Sequence, residues 1–121
     1  MIIEAVRFIR ANAHRELTRD ETARIVGVSP SHFSYLLREK TGASFSQLLR
    51  RARVDLACEL LLTTDESLAT IADRCGFFDQ SHFTKVFTQA KQLTPRQFRE
   101  ANRPRQANAS ADLQDGVETA G

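Results

Sequence analysis

The stretch Gly76–Phe87, GFFDQSHFTKVF, decides the fold, because its core Ser81-His82-Phe83 also occurs fifty residues earlier as Ser31-His32-Phe33. The agreement extends to both sides. Thr18, Ala23 and Gly27 match Ser67, Ala72 and Gly76 at an offset of 49. Beyond the glycines the offset becomes 50: Leu36 and Leu37 match Val86 and Phe87, and Ser44 matches Thr94. Each copy therefore reads as a short helix, a glycine-containing turn of three or four residues, and a second helix. That is the helix-turn-helix layout. Two helices crossing steeply through a tight turn need a small side chain, which Ala23 and Ala72 supply. Phe33 and Phe83 then anchor each second helix to the core. The opposite face is left outward, with Ser31, Ser34, Tyr35 and Arg38 in the first copy. In the second copy it carries Gln80, Ser81, Thr84, Lys85 and Gln89. A polar, partly basic, exposed helix of this kind suits the DNA major groove, where its N-terminal residues reach base edges.

The remaining pattern is helical throughout. Ile2, Ala5, Val6, Ile9 and Ala13 share one helical face. Thr18-Arg-Asp-Glu21, Ser44-Phe-Ser-Gln47 and Thr94-Pro-Arg-Gln97 each have capping-box spacing. Ser29-Pro30 offers a cap followed by proline at the first helical position. Asp65-Glu-Ser67 opens a short helix, and Asp79 caps the next. Between the copies, Leu48, Leu49, Ala52, Leu56, Ala57, Leu60 and Leu61 form the apolar stripe of one long helix. No alternating stretch argues for strands. The expected fold class is all-α, with about seven helices and two helix-turn-helix subdomains joined by a long linker helix. The expected units are 2–43, 44–63 and 64–103, within one domain over 1–103.

Composition bounds the function classes. With 121 residues the chain suffices for one ordinary domain. No apolar run approaches a membrane span, and the N-terminus MIIEAVRFIR lacks a signal-peptide pattern. Cys58 and Cys75 have no metal-ligand spacing and sit among apolar neighbours, as small core residues would. Residues 1–103 hold 16 Lys and Arg against 12 Asp and Glu, whereas 104–121 hold one Arg against three acidic residues. A mildly basic body thus carries an acidic tail. With only Leu113 and Val117 as large apolar groups, the tail 104–121 is expected to be disordered. Asp73, Asp79 and Glu59 are scattered, and no nucleophile–base set or phosphate-cradling loop appears. No enzyme, metal or cofactor is expected.

Ser29-Pro-Ser-His-Phe33, Gly42, Arg53-Val-Asp-Leu-Ala57, Leu60-Leu61, Ile71-Ala72, Gly76-Phe77, Gln80-Ser81, Phe83, Phe87, Thr94-Pro95 and Arg99 together resemble the DNA-binding domain of the AraC/XylS family of bacterial transcription regulators. The resemblance covers roughly 2–102 and implies a homeodomain-like fold with two reading helices. It implies base contacts from Ser31, Ser34 and Tyr35 in the first unit and from Gln80, Ser81, Thr84 and Lys85 in the second. Arg38 would reach a base or a phosphate. Helix starts and nearby cations suggest phosphate contacts at Thr18, Ser29, Ser67, Thr94, Arg96, Arg50 and Arg51. His32 and His82 are assigned to structure or phosphate contact. Arg53 matches a family position on the core side of the linker helix, where internal hydrogen bonding is expected. Two departures stand out. Gln92 replaces a customary glycine, at a cost of about 1 kcal/mol if the backbone is left-handed there, and Phe98 replaces a tyrosine. Many members carry an N-terminal sensing domain; beginning at Met1, this chain looks like a single-domain member or a detached C-terminal domain.

The implied partner is double-stranded DNA at an asymmetric site, bound by a monomer, with RNA polymerase as a further candidate and no membrane. The implied location is cytoplasmic and nucleoid-associated. The competing expectation is a shortened regulator that acts as a protein-interaction module without reading sequence.

Overall fold

The computed structural model describes residues 1–103, and the expectation for the tail falls outside that range. Seven helices follow in order: α1 Ile2–Asn12, α2 Arg19–Ile25, α3 Pro30–Thr41, α4 Phe45–Thr63, α5 Leu68–Arg74, α6 Gln80–Lys91 and α7 Pro95–Asn102. The described residues contain no strand, so the fold is all-α as the periodicity requires.

Caps set the boundaries. Thr18, Ser29, Ser44, Ser67, Asp79 and Thr94 each accept, through the side chain, the backbone N–H three residues on. These bonds satisfy donors that the first helical turn leaves orphaned. Ser44–Gln47 and Thr94–Gln97 are complete reciprocal boxes. Thr18–Glu21 is only half of one, a correction to its spacing. The Glu21 carboxylate turns instead to Arg15, accepting at 2.9 and 3.4 Å from its two terminal guanidinium nitrogens. That hydrogen-bonded cation holds the Glu21 carboxyl below its ordinary pKa.

The long helix α4 is not a bare spacer, because it supplies both cores. Its first turns give Phe45, Leu48, Leu49 and Ala52 to the packing of α1 and α3, around Ala5, Ile9, Ala13, Phe33 and Leu37. Its later turns give Val54, Ala57, Leu60 and Leu61 to a second core with Ile71, Cys75, Phe83 and Phe87. Phe33, Phe83 and Phe87 are fully buried, each contributing about 1.5–3 kcal/mol through apolar area removed from water. In the second core the rings of Phe77, Phe83, Phe87 and Phe98 form a chain of tilted and edge-on contacts at 5.1–5.7 Å, tying the turn, α6 and α7 together. Cys75 is fully buried and Cys58 half-buried, which fits their assignment as core residues.

Two arginines fasten the ends of these helices. Arg53, between the two halves of α4, donates from Nε to the Ala13 carbonyl at 2.8 Å and from Nη2 to the Arg15 carbonyl at 2.9 Å. The expected internal role is the one it plays. Arg99 on α7 donates to the carbonyls of Leu61, Glu66 and Thr64 at 2.9–3.0 Å, beyond and within the last turn of α4.

Candidate nucleic-acid interface

The two hairpins close by the same bonds. The Val28 amide donates to the Ala23 carbonyl at 3.0 Å, and the Phe77 amide to the Ala72 carbonyl at 3.0 Å. The glycines before them bond one residue further on, Gly27 to Arg24 at 3.1 Å and Gly76 to Asp73 at 3.2 Å. Both alanines are buried, Ala23 in the core cluster that holds Phe33 and Ala72 in the one that holds Phe83. The shift in offset from 49 to 50 is localised by the structure: Phe77 still matches Val28, and Asp79 matches Ser29 as cap. The extra residue is Phe78, which stands 90% exposed beside the start of α6.

Each second helix buries one face and presents the other. On α3, Phe33 and Leu37 are buried, Ser31, His32, Tyr35 and Arg38 are exposed, and Ser34 is half-buried. On α6, Phe83, Val86 and Phe87 are buried, Gln80, Ser81, His82, Lys85 and Gln89 are exposed, and Thr84 is half-buried. Of the expected base-facing side chains, Ser31, Tyr35, Arg38, Gln80, Ser81 and Lys85 are therefore open to solvent, and Ser34 and Thr84 flank the buried faces. The two displays differ in chemistry. That of α3 is hydroxylic and aromatic with one cation, and that of α6 carries an amide and an ammonium.

The histidines rest on aromatic neighbours. The His32 ring stacks near Tyr35 at 6.5 Å, with 14° between planes, and His82 meets Phe77 edge-on at 5.9 Å. Their backbone amides are taken by the caps Ser29 and Asp79. Thr18, Ser29, Ser67 and Thr94 all act as caps, with their side-chain oxygens occupied. Arg50, Arg51 and Arg96 hold exposed positions on α4 and α7.

Two features of this surface lie outside the sequence expectations. One is Phe78. The other is Arg19, whose Nη1 donates to the Ser34 Oγ at 3.2 Å, bringing a cation from α2 onto the display of α3. The available signal was the repeat itself, since the matching position at offset 49 is the aliphatic Leu68. Among the described residues no helix is long and apolar enough to cross a membrane.

The family described as a helix-turn-helix domain matches residues 22–101. The regulatory protein PocR of Salmonella typhimurium (strain LT2) is 38% identical over 97 residues, covering 80% of this chain and 32% of that protein. The chain thus spans about a third of the length of this relative. A transcriptional regulator structure from Chromobacterium violaceum, described as containing an AraC-type DNA-binding domain, superposes with a TM-score of 0.79 at 32% identity. It covers 81% of this chain and 88% of that one. The DNA-binding domain of AdpA, a global transcriptional factor solved in complex with a target DNA, superposes with a TM-score of 0.76 at 28% identity, covering 83% of this chain and 90% of that one.

Proposed function

Because the chain belongs to the AraC family of helix-turn-helix transcription regulators, we propose that it binds DNA sequence-specifically by inserting α3 and α6 into adjacent major grooves of one asymmetric site. The observation that carries this is the pair of hairpins closed by identical bonds yet displaying different side chains. A tandem pair of unlike readers matches a non-palindromic site, whereas a two-fold dimer matches a palindrome. The 19 residues of α4 span about 28 Å at about 1.5 Å per residue. Groove faces repeat about every 34 Å along the duplex. A site of roughly two helical turns follows, with bending where straight DNA does not fit the spacing.

Base contacts are assigned to Ser31, Ser34, Tyr35 and Arg38 on α3 and to Gln80, Ser81, Thr84 and Lys85 on α6. Gln80 suits bidentate pairing with adenine, and Lys85 suits the guanine acceptors. Phosphate contacts are assigned to Thr18, Ser29, His32, Arg50, Arg51, Ser67, His82, Thr94 and Arg96. Residues 1–103 form the DNA-binding domain, acting as a monomer in the cytoplasm, with RNA polymerase as a further partner.

Selection of bound sequences from random duplexes, followed by a salt series, tests this. The expected result is an enriched, asymmetric site of about two turns, with affinity falling by about 0.9 log units per log salt for each phosphate neutralised. Absence of any enriched sequence across the salt series would sink it and favour the interaction-module alternative.

A further inference from the structure

We propose that Arg19 is a DNA-contacting residue of the first unit: it neutralises a phosphate at the groove edge and holds Ser34 as a hydrogen-bond donor toward a base. The inference rests on the DNA-binding function proposed above and deepens it.

Arg19 lies at the start of α2, and its Nη1 donates to Ser34 Oγ, on the outward face of α3, at 3.2 Å. A guanidinium has five N–H donors. Ser34 takes one, and Asp20 Oδ1 takes another from Nε at 3.3 Å. Three remain for a phosphate, in a fork that suits its oxygens. The Arg19–Asp20 pair is solvent-exposed, with side chains 46% and 63% accessible, and exposed pairs of this kind compete weakly with a phosphate. A serine hydroxyl has one O–H and two lone pairs. With its oxygen accepting from Arg19, the O–H of Ser34 remains to donate outward. In the major groove that O–H matches guanine N7 and O6, adenine N7 or thymine O4. The assignment also answers a deficit in α3, which lacks an asparagine, glutamine or arginine at Ser31, Ser34 and Tyr35. The second unit has Leu68 at the place of Arg19, packed against its core.

The test compares wild type, Arg19→Leu, Arg19→Lys and Ser34→Ala on the duplex selected by the wild-type protein. Arg19→Leu is expected to reduce the salt slope by about 0.9, one phosphate contact. It is also expected to relax preference at the same base pair that Ser34→Ala relaxes, while Arg19→Lys keeps the slope. Should Arg19→Leu fold poorly, Arg19→Gln gives the same loss of slope without an aliphatic side chain. A sequence-selective wild type with an unchanged slope in Arg19→Leu or Arg19→Gln overturns the Arg19 assignment alone. A wild type that selects no sequence overturns the functional proposal, and this inference with it.

Discussion

Gly76 lies so close to Ala13 that a Cβ on the glycine would stand 2.8 Å from the Ala13 carbonyl oxygen. Arg53 Nε would lie 2.9 Å from the same Cβ, and that nitrogen is bonded to the same carbonyl. The turn of the second hairpin, the end of α1 and the middle of α4 therefore meet at one point. This junction couples the two units, and it tolerates no side chain on the turn.

Gly27 occupies the matching place in the first hairpin with nearly the same backbone, φ +81° against +85°, but has open space where a Cβ would go. Gly27→Ala should cost only the left-handed strain, about 1 kcal/mol. Gly76→Ala should add overpacking of about 1–3 kcal/mol to that strain. Urea unfolding of both variants measures the difference, and equal losses would rule out the crowding at Ala13.

Gln92 ends α6 at φ 67°, ψ 14°, the left-handed conformation that Gly42 adopts at the end of α3. It is the one described non-glycine residue with positive φ. Its side chain donates to the Gln89 carbonyl at 2.9 Å, an exposed bond that offsets little of the strain. Gln92→Gly should raise stability by about 0.5–1 kcal/mol, read as a higher denaturation midpoint with unchanged slope. A loss of stability would mean that the side-chain bond outweighs the backbone strain.

Most of the architecture was legible because it is local. Five of the six capping residues were readable locally, Thr18, Ser44 and Thr94 from box spacing and Ser29 and Asp79 from residue type, since a cap bonds three residues on; the sixth, Ser67, was placed only within the opening Asp65-Glu-Ser67. The repeat gave both hairpins, and Phe33 and Phe83 gave the inward faces. What escaped is long-range. The meeting of Gly76 with Ala13 and the grip of Arg99 on three carbonyls join residues more than thirty positions apart, where no periodicity operates. Glu21 escaped for a related reason: its spacing specified a box, but Arg15 offered a charged donor that a backbone amide cannot match. At the candidate interface, which faces point outward followed from the anchors. The addition of Arg19 did not, because it depends on the packing of α2 against α3.

The arginine fasteners should matter in proportion to the carbonyls they alone satisfy. Arg53→Ala strands two carbonyls, and Arg99→Ala also strands two, those of Leu61 and Glu66, because the Thr64 carbonyl keeps Arg103 Nη1 as a donor at 2.9 Å. Stranded acceptors cost about 1–3 kcal/mol each when buried, and these sites are half-exposed, so a total of about 2 kcal/mol is expected for each variant. At about 4–8 °C per kcal/mol both variants should melt well below the wild type. Arg53→Ala should also weaken binding to a two-unit site more than to a half-site, because it loosens the junction. Equal weakening on both duplexes would deny Arg53 that role.

The Cys75 thiol, fully buried, has its pKa pushed up from 9.0 to about 12, chiefly by burial. Its folded-state pKa is thus the higher one. Between these values the folded chain keeps a proton that the unfolded chain releases, so stability present below about pH 9 falls as pH rises toward 12. Over that window the wild type should lose stability faster than Cys75→Ala, with slopes differing by up to about 1.4 kcal/mol per pH unit. The variant's cavity lowers its whole curve but leaves its slope flatter, so the slope is the informative quantity. Parallel curves for the two proteins in urea titrations would show that the thiol titrates alike in both states. The same burial predicts that native Cys75 resists thiol reagents at mildly alkaline pH and becomes reactive on unfolding.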